Sequence, residues 1–222
     1  MKTILITGVD KGIGQALMRK FLSEGNFVIG TFFAQRPEPH QRLKDFALDL
    51  GKPESIASCA TAIAGVGQKI DILVNNAGIL ADEEETRVVV EKLRKTLEVN
   101  LIGTIDFTQR LLPMLSDDAH IVNVSSTAGS LELVGKASHF MGHYPAYKIS
   151  KAALNMYTRT LAHELKDRGV TVSSVHPGWT KTDMGGQEAD LTPEQAAEGM
   201  YQTAILRPES GGFWFARERL PW

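Results

Sequence analysis

The chain has 222 residues, 43 % hydrophobic and 23 % charged, with a formal net charge of -2. That length supports one large α/β unit with a well-buried core, and the near-neutral balance lacks the basic excess that a nucleic-acid footprint requires. A single cysteine, Cys59, excludes an internal disulfide and fits a reducing compartment; its apolar helical surroundings mark it as a core residue.

The first apolar run is three residues long and ends in Thr7-Gly8, which reads as a buried strand over 3–7 and not as a secretory leader. A helix is expected over 14–23, a strand over 27–31, a short strand over 46–48, and a helix over 53–64 opened by Pro53. A fourth strand covers 70–74, one long helix or two abutting ones cover 86–113, and a fifth strand covers 120–125. A long helix over 147–168 stops at Gly169, where a left-handed residue is wanted. Then come a strand over 170–176, a helix over 192–206 and a final strand over 212–216, with loops at 34–40 and 181–190. Strands that are apolar throughout and alternate with helices predict a parallel sheet covered on both faces. The expected architecture is a single α/β domain spanning 1–222, a doubly wound Rossmann fold of about seven strands. No stretch approaches the roughly 18 apolar residues of a membrane span, so the expected location is the cytoplasm, with neither membrane nor nucleic acid as partner.

Chemistry concentrates where such a sheet binds ligands, at the carboxyl ends of its strands. The first strand runs into Thr7-Gly8-Val9-Asp10-Lys11-Gly12-Ile13-Gly14. Gly8 can turn the chain, Gly12 can let the backbone approach a pyrophosphate, and Gly14 can let the next helix pack close to the sheet. The helix start then offers free N–H groups to phosphate. The spacing is Gly-x3-Gly-x-Gly, not the usual dinucleotide fingerprint. The second strand ends without the acid that would hold a ribose 2′-hydroxyl. Lys11 and Arg36 stand nearby instead, and either could hold a 2′-phosphate, which favours NADP(H) over NAD(H). Asp10 is an unusual acid in such a loop and could cap the helix start.

Tyr147 and Lys151 lie four apart on one helix face. A free tyrosine titrates near 10, so acid–base work near neutrality needs an easing of ~3 pH units, roughly 4 kcal/mol; a neighbouring ammonium can supply much of it. Tyr144 and Lys148 form a competing pair, but the small residues after Tyr147 leave more room for a cofactor. Ser125 and Ser126 close the fifth strand, Asn75-Asn76-Ala77-Gly78 closes the fourth, and Asn100 interrupts an apolar run inside the long helical segment, where it could also mark a kink.

Together these motifs resemble the short-chain dehydrogenase/reductase family across nearly the whole chain. The stretch 177–184 and the ending Leu220-Pro221-Trp222 resemble its C-factor and sniffer-like carbonyl-reductase branch. That resemblance implies a nicotinamide-dependent oxidoreductase interconverting a carbonyl and an alcohol. Tyr147 would be the general acid/base, Lys151 would lower its pKa and bind the nicotinamide ribose, and Ser126 would polarise the carbonyl. Asn100 would hold a relay water. Cofactor contacts would come from Gly8, Asp10, Lys11, Gly12, Ile13, Gly14 and Arg36, with Asp49 and Leu50 at the adenine. Asn76, Ala77 and Gly78 would serve the ribose, and Pro177, Gly178, Thr180 and Thr182 the amide or phosphates. The partner would be a small carbonyl or alcohol, and the long helices would suit a homodimer or homotetramer.

Other signals carry less. His139 and His143 could present two metal ligands, but no third is evident, so no metal is expected; with Phe140 and Met141 they lie in an unusually long interval before Tyr147 and could form a flap. The run 82–85 reads as a solvated helix start, and Trp214 and Trp222 as packing residues. The competing functions are a nucleotide-binding signalling protein with incidental catalysis, and a lyase or epimerase on the same scaffold.

Overall fold

The computed structural model describes residues 1–136 and 143–222. His139, Phe140 and Met141, and with them the flap and the histidine pair, lie outside the described residues.

Eight strands form one sheet in the order β3-β2-β1-β4-β5-β6-β7-β8. They are β1 (Thr3–Thr7), β2 (Phe27–Phe32), β3 (Leu43–Ala47), β4 (Ile70–Asn75), β5 (Leu115–Val124), β6 (Thr171–Val175), β7 (Gly212–Phe215) and β8 (Glu218–Arg219). All neighbours are parallel except β7 and β8. Side-chain alternation assigns each strand residue to a layer. Leu5, Ile29, Leu73 and Ile121 pack on one face with Phe107 and Leu161. Ile4, Ile6 and Val122 pack on the other with Leu17, Phe21 and Met200. The helices are α1 (Gly12–Ser23), α2 (Pro53–Ala64), α3 (Val90–Leu97), α4 (Thr104–Leu111), α5 (Pro145–Glu164) and α6 (Pro193–Leu206). Thr192 and Gln195 close a reciprocal capping box on α6. Gly169 adopts φ +69 after the last turn that follows α5. Cys59 is buried in the core.

Several boundaries move. α1 begins at Gly12, two residues early, with Lys11 as its cap and the Gln15 N–H donating to the Lys11 carbonyl at 3.2 Å. β3 is centred earlier than 46–48, since pairing with Val28 through Phe32 sets its register. β5 starts at Leu115 although Ser116, Asp117 and Asp118 are polar, and β8 is a two-residue pairing with no hydrophobic pattern. The segment 86–113 is neither one helix nor two: 86–89 is not helical, and α3 and α4 are joined by a π-helical turn, Glu98–Gly103, which carries Asn100. Such wide turns mark functional positions in helices.

Candidate active site

The strand order reverses direction between β1 and β4, and there the carboxyl ends diverge into a cleft. The cleft has a volume of about 1030 Å³. Gly8, Gly12 and Gly14 form its floor together with Asp10, Lys11 and Ile13. Gly8 has φ +72, a conformation that side chains disfavour. A Cβ on Gly14 would lie 2.0 Å from the Gly8 carbonyl oxygen. The loop is therefore a bare backbone cradle at a helix start, which fits a dinucleotide pyrophosphate.

Asn76, Ala77 and Gly78 line the cleft, and Asn76 also braces the cradle, its Nδ2 donating to the Thr7 and Gly8 carbonyls at 2.8 and 3.2 Å. Thr7 contributes from beneath, its hydroxyl accepting the N–H groups of Asn76 and Ala77. Asp49 and Leu50 line the far wall, where Asp49 Oδ1 accepts the Gly51 N–H at 2.9 Å. Lys95, Glu98 and Val99, absent from the sequence reading, line the same wall; no local pattern distinguishes them from helix surface.

The remaining expected contacts divide. Pro177 and Thr182 line the cleft, whereas Gly178 and Thr180 do not; the buried Thr180 hydroxyl donates to the Gly178 carbonyl. Lys11 reaches across the mouth to Asp183 at 2.6 Å. Arg36 lies outside the lining and pairs with Asp45 at 2.6 Å. Asp10 does not cap α1, whose cap carries no side-chain bond; its carboxylate accepts the Ala34 N–H at 3.4 Å instead.

At the inner end, Tyr147 and Lys151 project from α5 into the cleft, both buried. Of the two Tyr–Lys pairs only this one lines the cleft; Tyr144 precedes the helix at φ +37. The Tyr147 hydroxyl is bonded to the side chain of Ser126, not Ser125. Ser126 also accepts the Ala128 N–H, which fixes its rotamer at the end of β5. Lys151 Nζ donates to the Val124 carbonyl at 2.8 Å and lies 5.5 Å from the centre of the Tyr147 ring.

That placement overturns one expectation. Burial pushes the Tyr147 phenol up to about 12, opposed only by the Ser126 bond, and pushes the Lys151 ammonium down to about 8. No easing of the phenol by the ammonium accompanies this burial. Asn100, 1 % exposed, spends its amide on protein: Oδ1 accepts the Ile79 N–H, and Nδ2 donates to the Ile79 carbonyl and the Ser150 hydroxyl. A side chain at Gly78 would meet Asn100 Oδ1 at 3.2 Å and Lys151 Nζ at 3.7 Å.

A family model for the short chain dehydrogenase matches residues 2–192. The chain belongs to that family. Its fold follows the NADPH-bound carbonyl reductase from chicken fatty liver, at 28 % identity and a TM-score of 0.90, over 100 % of this chain and 99 % of that one. The carbonyl reductase Sniffer of Drosophila melanogaster gives 29 % identity and a TM-score of 0.88, over 100 % of both chains. A 1-hydroxy-2-glutathionyl-2-methyl-3-butene dehydrogenase of Rhodococcus sp. (strain AD45) is 30 % identical, over 96 % of this chain and 95 % of its own. This short-chain dehydrogenase is thus an oxidoreductase of a family of dehydrogenases and reductases. Among the described residues no helix is long and apolar enough to cross a membrane, and no group of three or more His, Cys, Asp or Glu side chains could hold a metal.

Proposed function

We propose that this chain is an NADP(H)-dependent carbonyl reductase of small molecules, acting in the cytoplasm, with Tyr147 as its proton donor. The observation that carries the reading is the buried pair Tyr147 and Lys151, bonded to Ser126 and the end of β5, at the inner end of the glycine-floored cleft. Bound nicotinamide would supply the hydride. The Ser126 and Tyr147 hydroxyls, already bonded to each other, would both donate to the substrate carbonyl oxygen. With its pKa pushed up to about 12, the phenol is protonated at neutral pH, the form a proton donor to a carbonyl requires. Lys151, with the Val124 carbonyl holding one of its protons, keeps two donors for a ribose and for the proton path to Tyr147.

Cofactor choice follows from charge at the outer end. Thr31 and Phe32 at the end of β2, and Phe33 after it, line the cleft and supply no acid of their own for a 2′-hydroxyl; the acid nearest them is Asp10, bonded to the Ala34 N–H. Lys11 is the cation closest to this reading; its bond to the exposed Asp183 is a surface ion pair, readily exchanged for a phosphate. Arg36 could join only by leaving Asp45. The exposed Ile102, Ile149 and Met156, on the outer side of the π-turn and α5, would serve self-association into a dimer or tetramer.

The test is loss of NADPH absorbance at 340 nm with a panel of aldehydes, ketones and quinones. Turnover is expected with the wild-type protein. It should fall by about 10²–10⁴ in Tyr147→Phe, the range for a general acid, with cofactor affinity retained. NADPH binding with no carbonyl turned over would replace this reading with a nucleotide-binding regulatory role.

A further inference from the structure

The helix that carries Tyr147 cannot cap itself. Its N-cap, Tyr144, makes no side-chain cap bond, and Pro145 at the first helical position has no N–H. The first donor is the Ala146 N–H, immediately before Tyr147. It is taken at 2.6 Å by Asp82 Oδ2, from a residue 64 positions away in the loop between β4 and α3. Asp82 belongs to the acidic run 82–85, expected to be a solvated start for the following helix. Glu83 and Glu84 are solvated, but Asp82 is 1 % exposed and serves a different helix. Its second oxygen, Oδ1, is buried with no donor among the described residues. A carboxylate so held is costly to bury, so its place demands a local reason.

The reason lies one turn on. The same loop is tied again through Ile79, whose N–H and carbonyl are both bonded by Asn100. Asn100 reaches Ser150, and the Ser150 hydroxyl donates to the Tyr147 carbonyl at 2.8 Å. The loop therefore grips α5 at 146 and at 150, on both sides of the tyrosine.

We infer that Asp82 is a positioning residue for Tyr147: its carboxylate caps α5 from another loop and, with the Asn100–Ser150 tie, clasps the turn that presents the phenol to Ser126. This rests on the reading of Tyr147 as proton donor. The clasp acts on orientation alone, because Asp82 does not line the cleft. Its loss should therefore appear in kcat and not in cofactor binding. In Asp82→Ala, kcat for carbonyl reduction is expected to fall about tenfold or more, as misplacement of a reacting group does. The NADPH dissociation constant, from fluorescence quenching, should stay within about twofold, because the glycine cradle is untouched. Asp82→Asn keeps an acceptor for the Ala146 N–H and should recover most of the rate. If both proteins are folded and Asp82→Ala turns over within about twofold of wild type, the inference is overturned. Should Asp82→Ala not fold, Asp82→Glu decides the matter. Its extra methylene displaces the cap while keeping the charge, so kcat must fall with binding retained, and an unchanged kcat overturns the clasp. Should the wild-type protein turn over no carbonyl, the catalytic reading fails on its own. The clasp is then judged by amide exchange at 146–148 in Asp82→Asn and Asp82→Glu. Faster exchange in Glu alone supports it, and equal exchange overturns it.

Discussion

His120 sets a pH dependence of stability that can be measured apart from catalysis. Its ring is fully buried where β5, β6 and α6 meet. Nδ1 lies 3.0 Å from the Ala204 carbonyl and Nε2 lies 3.0 Å from the Ser173 hydroxyl. A carbonyl only accepts, so Nδ1 carries the proton and Nε2 accepts from Ser173. Burial lowers its pKa from 6.5 to about 4; the Ala204 bond opposes this and the Arg207 charge adds to it. Because the folded value is depressed, the unfolded chain binds more protons between the two values. The full stability is present above about 6.5, declines as the pH falls, and levels off below about 4. At about 1.4 kcal/mol for each pH unit, the whole effect is about 3 kcal/mol, and about 2 kcal/mol of it is lost between pH 7 and 5. His120→Gln removes the titrating ring. Urea unfolding followed by tryptophan fluorescence, at both pH values, should show the wild type losing about 2 kcal/mol more than the variant. Equal losses in the two proteins would refute the reasoning, since every other group is shared.

Other outcomes follow from the cleft. Gly14→Ala should weaken NADPH binding by more than about tenfold while the protein still folds. Its Cβ would sit 2.0 Å from the Gly8 carbonyl and 2.5 Å from Asn76 Nδ2, and only a shift of the cradle relieves that; titration of the cofactor's fluorescence measures it. Lys11→Ala should reduce the preference for NADPH over NADH, read as the ratio of kcat/KM values, by about tenfold, the worth of one charge-assisted bond. Arg36→Ala should change that ratio less, because Arg36 stands outside the cleft lining and is held by Asp45; a larger effect for Arg36 would reverse the assignment.

Much of the framework is legible in short stretches of chain. Apolar runs such as Ile4–Leu5–Ile6 mark central strands because a parallel sheet buries both faces. Glycines at 8, 12 and 14 mark a backbone turn that side chains would block, and the structure confirms the obstruction at Gly14. The four-residue interval between Tyr147 and Lys151 places them on one helical face whatever surrounds them. Boundaries were less legible where pairing overrides pattern. Polar Ser116 to Asp118 join β5 because β4 lies beside them, and 86–89 stays outside a helix despite a continuous polar–apolar rhythm.

The residues around the site divide along the same line. Arg36 and Lys11 look alike as cations near a phosphate loop, yet one lies outside the cleft with Asp45 and the other bridges its mouth to Asp183. Asn76 lines the cleft and is also a brace, which its position in the chain does not reveal; Asp82 looks like a solvated acid and is a buried cap. The pKa values of Tyr147 and Lys151 move in opposite directions, because burial penalises the charged form of each. Sequence alone determined the sheet, the cradle and the pair on α5, since these depend on period, spacing and backbone freedom within a few residues. Which side chains are buried, paired or left to meet a ligand depends on groups distant in sequence, as with Asp82 and Ala146, 64 positions apart, or Lys11 and Asp183, 172 apart. Only the folded chain brings those together, because hydrogen bonding and desolvation act over a few ångströms of space and take no account of separation along the chain.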